Sequence, residues 1–293
     1  MNLVFTVLEI TAPVFILAAV GFFWVKMGFE YRVEFVTRLA MTLSVPCLIF
    51  VALMRTKIDP QALATLSLAA LAAYGLVTIG ALVLVKVMKL EMRTYLAPLI
   101  FGNTGNLGLP LALFAFGETG LGYAVVVFAV MAILSFTIGI WIVSGGGSLT
   151  KVVKEPLVAA TVLGGIFLWQ GWETPTFLTN AIKLIGDMAI PMMLITLGVA
   201  VARLETKALD RAAIMAVVKI VLCVGAAASM GIWFGLEPVA FAVLVVQLAT
   251  PVAVTSYMLA EKYGADSQAV AGLVVVSTLL SVLALPLILA FVI

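Results

Sequence analysis

Asn103, Thr104 and Asn106 stand among Gly102, Gly105 and Gly108 and just ahead of Pro110, in the run F-G-N-T-G-N-L-G-L-P. A second amide, Gln247, lies four residues before Pro251 in V-V-Q-L-A-T-P, with Thr250 beside the proline; Asn106 precedes Pro110 by the same four residues. The two prolines are 141 residues apart, and both runs interrupt strongly apolar sequence. Amides and hydroxyls of this kind add neutral hydrogen-bond donors. Glycine costs about 1 kcal/mol relative to alanine inside a helix, and proline deletes a donor and crowds the preceding turn. Gly105, Gly108 and Pro110 in one run, and Pro251 in the other, therefore read as helix breaks. The half-helix after a break aims free N–H groups and a positive dipole end at it, which suits an anion. A glycine-rich packing face is the competing reading, weakened by two Asn residues and a proline within eight positions.

The elements that must hold these breaks are membrane helices. The chain is 65% hydrophobic and only 10% charged, with mean hydropathy +1.28, against about 25% charge in soluble domains. Apolar stretches recur at 3–27, 35–54, 62–85, 95–117, 120–143, 156–172, 176–202, 212–235, 238–260 and 267–291. Most are long enough to cross the hydrocarbon, which predicts ten spans. Unpaired backbone is not tolerated against lipid, so a break at mid-membrane depth lines a cavity or is buried in protein. With both termini outside, the inner ends and loops hold Lys26, Arg32, Arg38, Lys86, Lys89, Arg93, Lys151, Lys154, Arg203, Lys207, Arg211 and Lys262. The outer loops hold only Arg55 and Lys57, so the positive-inside rule sets that orientation in the inner membrane. The net charge of +2 marks topology and implies no nucleic-acid partner. Residues 1–25 carry no basic leader and read as a retained first helix.

Few groups inside the spans can ionise. Lys183 and Asp187 are four apart, one helical turn, and can pair. Asp187 is then either a proton-coupling group or half of a structural pair pinning the seventh helix. Lys219 is about two turns from the inner end of its span and reads as a lysine that snorkels. Glu9 reads as interfacial, and Cys47 and Cys223 as buried apolar thiols. The absence of histidine excludes His-based zinc centres and acyl transfer, and no P-loop is present. The expectation is therefore no enzyme, no metal and no cofactor.

Proline positions repeat along the chain. Pro13 and Pro156 open the first and sixth stretches, 143 apart, each with a glycine eight residues on, Gly21 and Gly164. Pro46 and Pro191 lie in the second and seventh, 145 apart, each with a basic residue eight earlier, Arg38 and Lys183. The linker S-G-G-G-S, 144–148, separates them. Two five-span halves, 1–145 and 149–293, follow; five is odd, so the second lies inverted. Inverted repeats with matched interruptions mark a transporter's binding site near the midplane.

At these residues the sequence resembles the auxin efflux carrier family, which includes plant PIN-type carriers and bacterial malate and malonate permeases. The resemblance rests on G-N-T-G-N-L-G-L-P-L at 102–111, I-G-D-M-A-I-P-M-M-L-I-T-L-G at 185–198, Q-L-A-T-P-V-A-V-T-S-Y-M-L-A-E-K-Y-G-A-D at 247–266 and A-L-P-L at 284–287. It implies an all-helical membrane fold of ten helices with crossing fourth and ninth helices, as in bile-acid symporters. Helices one, two, six and seven would form a scaffold, often dimeric, so a homodimer is implied. Helices three to five and eight to ten would form a moving transport domain. It also implies substrate contacts at Asn103, Asn106 and Gln247, with Ser44 and Val45, just before Pro46, on the scaffold side of the pocket. The carboxylate with which the related symporters bind sodium in the ninth helix is absent: Val243 to Val246 precede Gln247, and Glu237 and Glu261 lie toward the span ends.

The expected function is elevator-type transport of a small carboxylate across the bilayer. Two alternatives stay open: a sodium- or proton-coupled symporter of larger amphipathic anions with Asp187 as coupling group, and an anion channel. A membrane enzyme is more remote for want of histidine.

Overall fold

Proline and glycine decide where the helices of this chain begin, bend and stop. The computed structural model describes residues 3–145, 156–203 and 209–293; most of the Gly-rich linker lies outside them. Four apolar stretches each become one long helix: α1 (Leu3–Lys26), α4 (Pro60–Val87), α11 (Leu209–Trp233) and α14 (Ser267–Val292). Asp59 caps α4 by accepting from the Gln61 N–H at 3.1 Å, with Pro60 at the first helical position, where its missing donor costs nothing. Asp266 caps α14 through the Ala269 N–H at 3.0 Å. Pro13 does not open a span; it lies inside α1.

The other stretches, the shorter sixth apart, are segmented. The second runs as α2 (Val33–Leu39), a π turn at Ala40–Ser44, and α3 (Val45–Arg55). The fourth is α5 (Met92–Ile100), an extended link, a π turn at Thr104–Gly108, and the start of α6 (Leu109–Leu134). Gly117, at φ +63°, turns the chain within α6, a conformation L side chains rarely adopt. A third π turn, Ser135–Gly139, leads into α7 (Ile140–Ser144). Next come α8 (Pro156–Gln170) and the seventh stretch, split at Met188 into α9 (Thr176–Asp187) and α10 (Ala189–Arg203). The ninth stretch is α12 (Pro238–Leu248), a second extended link, and α13 (Val254–Tyr263). Seven stretches among the described residues are long and apolar enough to cross a membrane.

Packing divides the helices into two groups. In one, α1 lies along α10, and α3 lies against α8 and α9. Glycine permits the first contact: a Cβ at Gly21 would overlap the Ile195 carbonyl, and one at Gly198 the Ala18 carbonyl. In the other group α11 packs on α4, α12 and α14, and α12 packs on α6. The groups meet where α1 touches α6 and α14, where α3 touches α6, and where the Thr104–Gly108 turn touches α10.

Arg93 ties one end of the second group together. Its Nε donates to the Val143 carbonyl at 3.0 Å and its Nη2 to the Tyr263 carbonyl at 2.6 Å. Both acceptors lie at helix C-termini, where a cation also meets the negative dipole end. Arg93→Met should therefore cost about 1–3 kcal/mol, read as a lower midpoint of thermal unfolding, whereas Arg32→Met, whose side chain is exposed, should shift it far less.

Candidate functional site

Each interruption exposes backbone donors and acceptors, and the two satisfy each other. The links 101–103 and 251–253 are non-helical, extended at Phe101 and Ala253, and Gly102 pairs antiparallel with Val252. The Asn103 N–H donates to the Pro251 carbonyl at 2.7 Å. On the far side, the Val252 N–H donates to Ser277 Oγ on α14 at 3.0 Å. Two glycines make room for the crossing. A Cβ at Gly102 would overlap Thr250 Oγ1, and one at Gly108 would overlap the Gln247 carboxamide.

The break lies upstream of the position Pro110 suggests. Pro110 sits in the first turn of α6, and Gly105 and Gly108 lie in the π turn before it. Proline tolerates a first helical turn, since its N–H would be an orphan there. Pro251, in contrast, is part of the extended link itself.

The crossing gathers Asn103, Thr104, Gln247 and Thr250, all buried. Thr250 Oγ1 donates back to the Gln247 carbonyl at 2.7 Å. Gln247 does not bond Asn103 or Asn106; its Nε2 points to the Ala124 carbonyl at 3.4 Å, long for a hydrogen bond. Among the described residues, Asn103 Nδ2, Thr104 Oγ1 and Gln247 Oε1 have no hydrogen-bond partner. Each such buried group costs on the order of 1–3 kcal/mol, so three at one crossing are not incidental to folding.

Asn106 lies apart from this set. It is half-buried and faces α10 and α2, sharing a space of about 30 Å³ with Thr37, Thr196 and Thr255. Thr196 Oγ1 is also hydrogen-bonded to the Tyr31 hydroxyl at 2.8 Å. Ser44 and Val45 are fully buried in or beside the first π turn, Ser44 Oγ without a partner among the described residues, but they line neither this space nor the larger cavity.

That cavity, about 620 Å³, opens between the two groups of helices. Leu17, Leu48, Leu113 and Leu121 line its apolar part. Its polar wall carries Arg55, Lys57 and Lys183 against Glu118 and Asp187, an excess of positive charge. Lys183 and Asp187 pair at 2.9 Å, with side chains 44% and 51% exposed. A solvated pair of this kind contributes about 0–1 kcal/mol. The pair is thus a feature of the cavity wall, and Asp187 is not sequestered within protein. Asp187→Asn should change thermal stability by less than about 1 kcal/mol, as a melting curve would show.

Lys219 departs from its sequence reading. It is 1% exposed and does not snorkel. Its Nζ donates to the Thr250 carbonyl at 3.0 Å and lies 3.8 Å from Cys223 Sγ. The one signal in the sequence was a lysine inside an apolar span with Cys223 one turn away.

An all-helical chain with membrane-length helices and two broken segments crossing over unpartnered polar groups has the construction of a membrane transporter. The family model for membrane transport proteins matches residues 6–152 and 144–289, and the chain belongs to that family, the auxin efflux carrier family. An uncharacterized transporter from Methanocaldococcus jannaschii is 24% identical over 302 residues, covering 96% of this chain and 97% of the relative.

Proposed function

We propose that the protein carries small organic anions, carboxylates of the malate, malonate or auxin-like type, by an elevator movement of one helix group against the other. The observation that carries this reading is the crossing itself, where Asn103 Nδ2 and Thr104 Oγ1 are buried without partners among the described residues. They adjoin the start of the Thr104–Gly108 turn, and α13 starts just beyond the other link. Anions are favoured at such ends. Gln247 presents an acceptor, Oε1, and a weakly engaged donor, Nε2; a half-turn of the amide exchanges them. Thr250 buttresses Gln247, and Asn106 with Thr255 would complete the site as the π turn moves along α10. The excess of Arg and Lys around the 620 Å³ cavity would draw anions in from one side.

The proposed architecture is ten spans in two inverted halves, 1–145 and 149–293, with α1–α3 and α8–α10 as scaffold and the remaining helices as transport domain. Matched contacts support it. Gly21, eight after Pro13, meets Ile195, four after Pro191; Gly164, eight after Pro156, lies nearest Leu53 and also meets the backbone of Phe50, four after Pro46. The proposal places both termini on the outer face of the plasma membrane, with a homodimer formed through the scaffold.

The test is current across proteoliposomes containing the purified protein, with dicarboxylates and aromatic monocarboxylates applied in turn, with and without sodium. A saturable, sodium-independent response to one acid class is the expected result. A response only with sodium would favour the symporter, and conductance without saturation an anion channel. A loss of pH dependence alone in Asp187→Asn would assign that residue to proton coupling.

A further inference from the structure

A lysine ammonium buried in a membrane helix is costly unless something holds its charge. Lys219 has no carboxylate within ion-pairing distance among the described residues. What holds it is backbone: the Thr250 carbonyl, in the turn that ends α12. Carbonyls at a helix C-terminus carry the negative dipole end. In carriers with broken helices, such half-helix C-termini and unwound carbonyls are the groups that coordinate a coupling sodium ion. The neighbours of Lys219 fit the same purpose. Helices α4, α5, α12 and α14 pack around α11, and the side chain's second contact is a thiol, Cys223. On α4, 145 residues upstream and so at the spacing of Pro46 and Pro191, stands Tyr74. Its ring centroid is 6.3 Å from that of Phe101 in the first link. Tyr74 on α4 and Lys219 on α11 thus approach the paired links from two helices that pack on each other.

We propose that Lys219 is a tethered coupling cation: its ammonium occupies, at the C-terminal end of α12, the place a bound sodium ion would fill. The crossing thereby acquires a positive charge that needs no ion from solution and stays with the link. This account rests on the crossing being the carrier's site, but its test requires no transported anion.

The test is thermal unfolding of the purified full-length protein in detergent, in chloride salts of sodium, lithium, potassium, methylammonium and choline at equal ionic strength. The wild-type midpoint should be the same in all five. Lys219→Ala should unfold several degrees lower in choline and recover at least half of that loss, saturably, with sodium or methylammonium. Lys219→Met, which refills the space without charge, should respond to none of the cations. The proposal is overturned if sodium stabilises the wild type over choline, if Lys219→Ala ignores every small cation, or if Lys219→Met responds as the alanine variant does. Lys219→Ser opens the same space and takes the place of the alanine variant should that one not fold. Cation recovery in a protein that transports no carboxylate would sink the anion reading and leave this one standing.

Discussion

Asn103→Ala is expected to lower carboxylate uptake about 10- to 100-fold, the loss of one hydrogen bond to a charged group, while leaving thermal stability unchanged or slightly raised. Most buried polar side chains behave in the opposite way, because deleting them strands a partner. Asn103 strands nothing: its Nδ2 has no partner, and its contribution to the crossing is the backbone N–H on the Pro251 carbonyl, which alanine retains. A group that stays unpaired in the folded protein is a cost to stability that function can justify. Uptake into proteoliposomes and melting midpoint, measured on the same preparation, separate the two effects. A variant that unfolds early would make Asn103 a structural residue, and one that transports normally would remove it from the site.

The same residues show how far the sequence could be read. The interruptions were legible because glycine, asparagine and proline crowd into the first apolar run and an amide stands four residues before a proline in both. Their exact placement was not, because proline marks a boundary without saying on which side the chain unwinds. Pro46 is the second residue of α3, Pro110 the second of α6 and Pro191 the third of α10. All three lie in first turns, and the irregular backbone comes before them, at Ala40–Ser44, Thr104–Gly108 and Met188. A π turn's wider hydrogen-bond loop gives the ring the room that an i−4 carbonyl would otherwise take. Only Pro251 falls in an extended link, and there the run Gln247–Pro251 marked the place directly. Lys219 was opaque for another reason. Hydropathy counts its distance from the span end, but its direction is fixed by which helices surround α11, and that is a property of the tertiary packing. The resemblance likewise implied one site for Asn106 and Gln247. The crossing instead turns them to different sides, because the link at 101–103 directs the following π turn toward α10.

The second large effect should appear at Gly108. Alanine there places a methyl group on the Gln247 carboxamide, which is itself fully buried. Overpacking of a closed site costs about 1–3 kcal/mol, so Gly108→Ala should lower the melting midpoint by several degrees and abolish uptake. Gln247→Ala alone should abolish uptake with a smaller loss of stability, because its amide makes one long bond to Ala124 and leaves Oε1 unpaired. Combining the two removes the collision, so the double variant should melt higher than Gly108→Ala, with a coupling energy of about 0.5–3 kcal/mol. Uptake should remain absent. Recovery of stability without recovery of transport would show that Gly108 exists to admit the Gln247 amide and that the amide itself serves the transported anion. Additive losses of stability would mean the two side chains do not meet, and the crossing would need a different registration. Transport returning with stability would make Gln247 a packing residue and leave Asn103 and Thr104 as the polar contacts at the break.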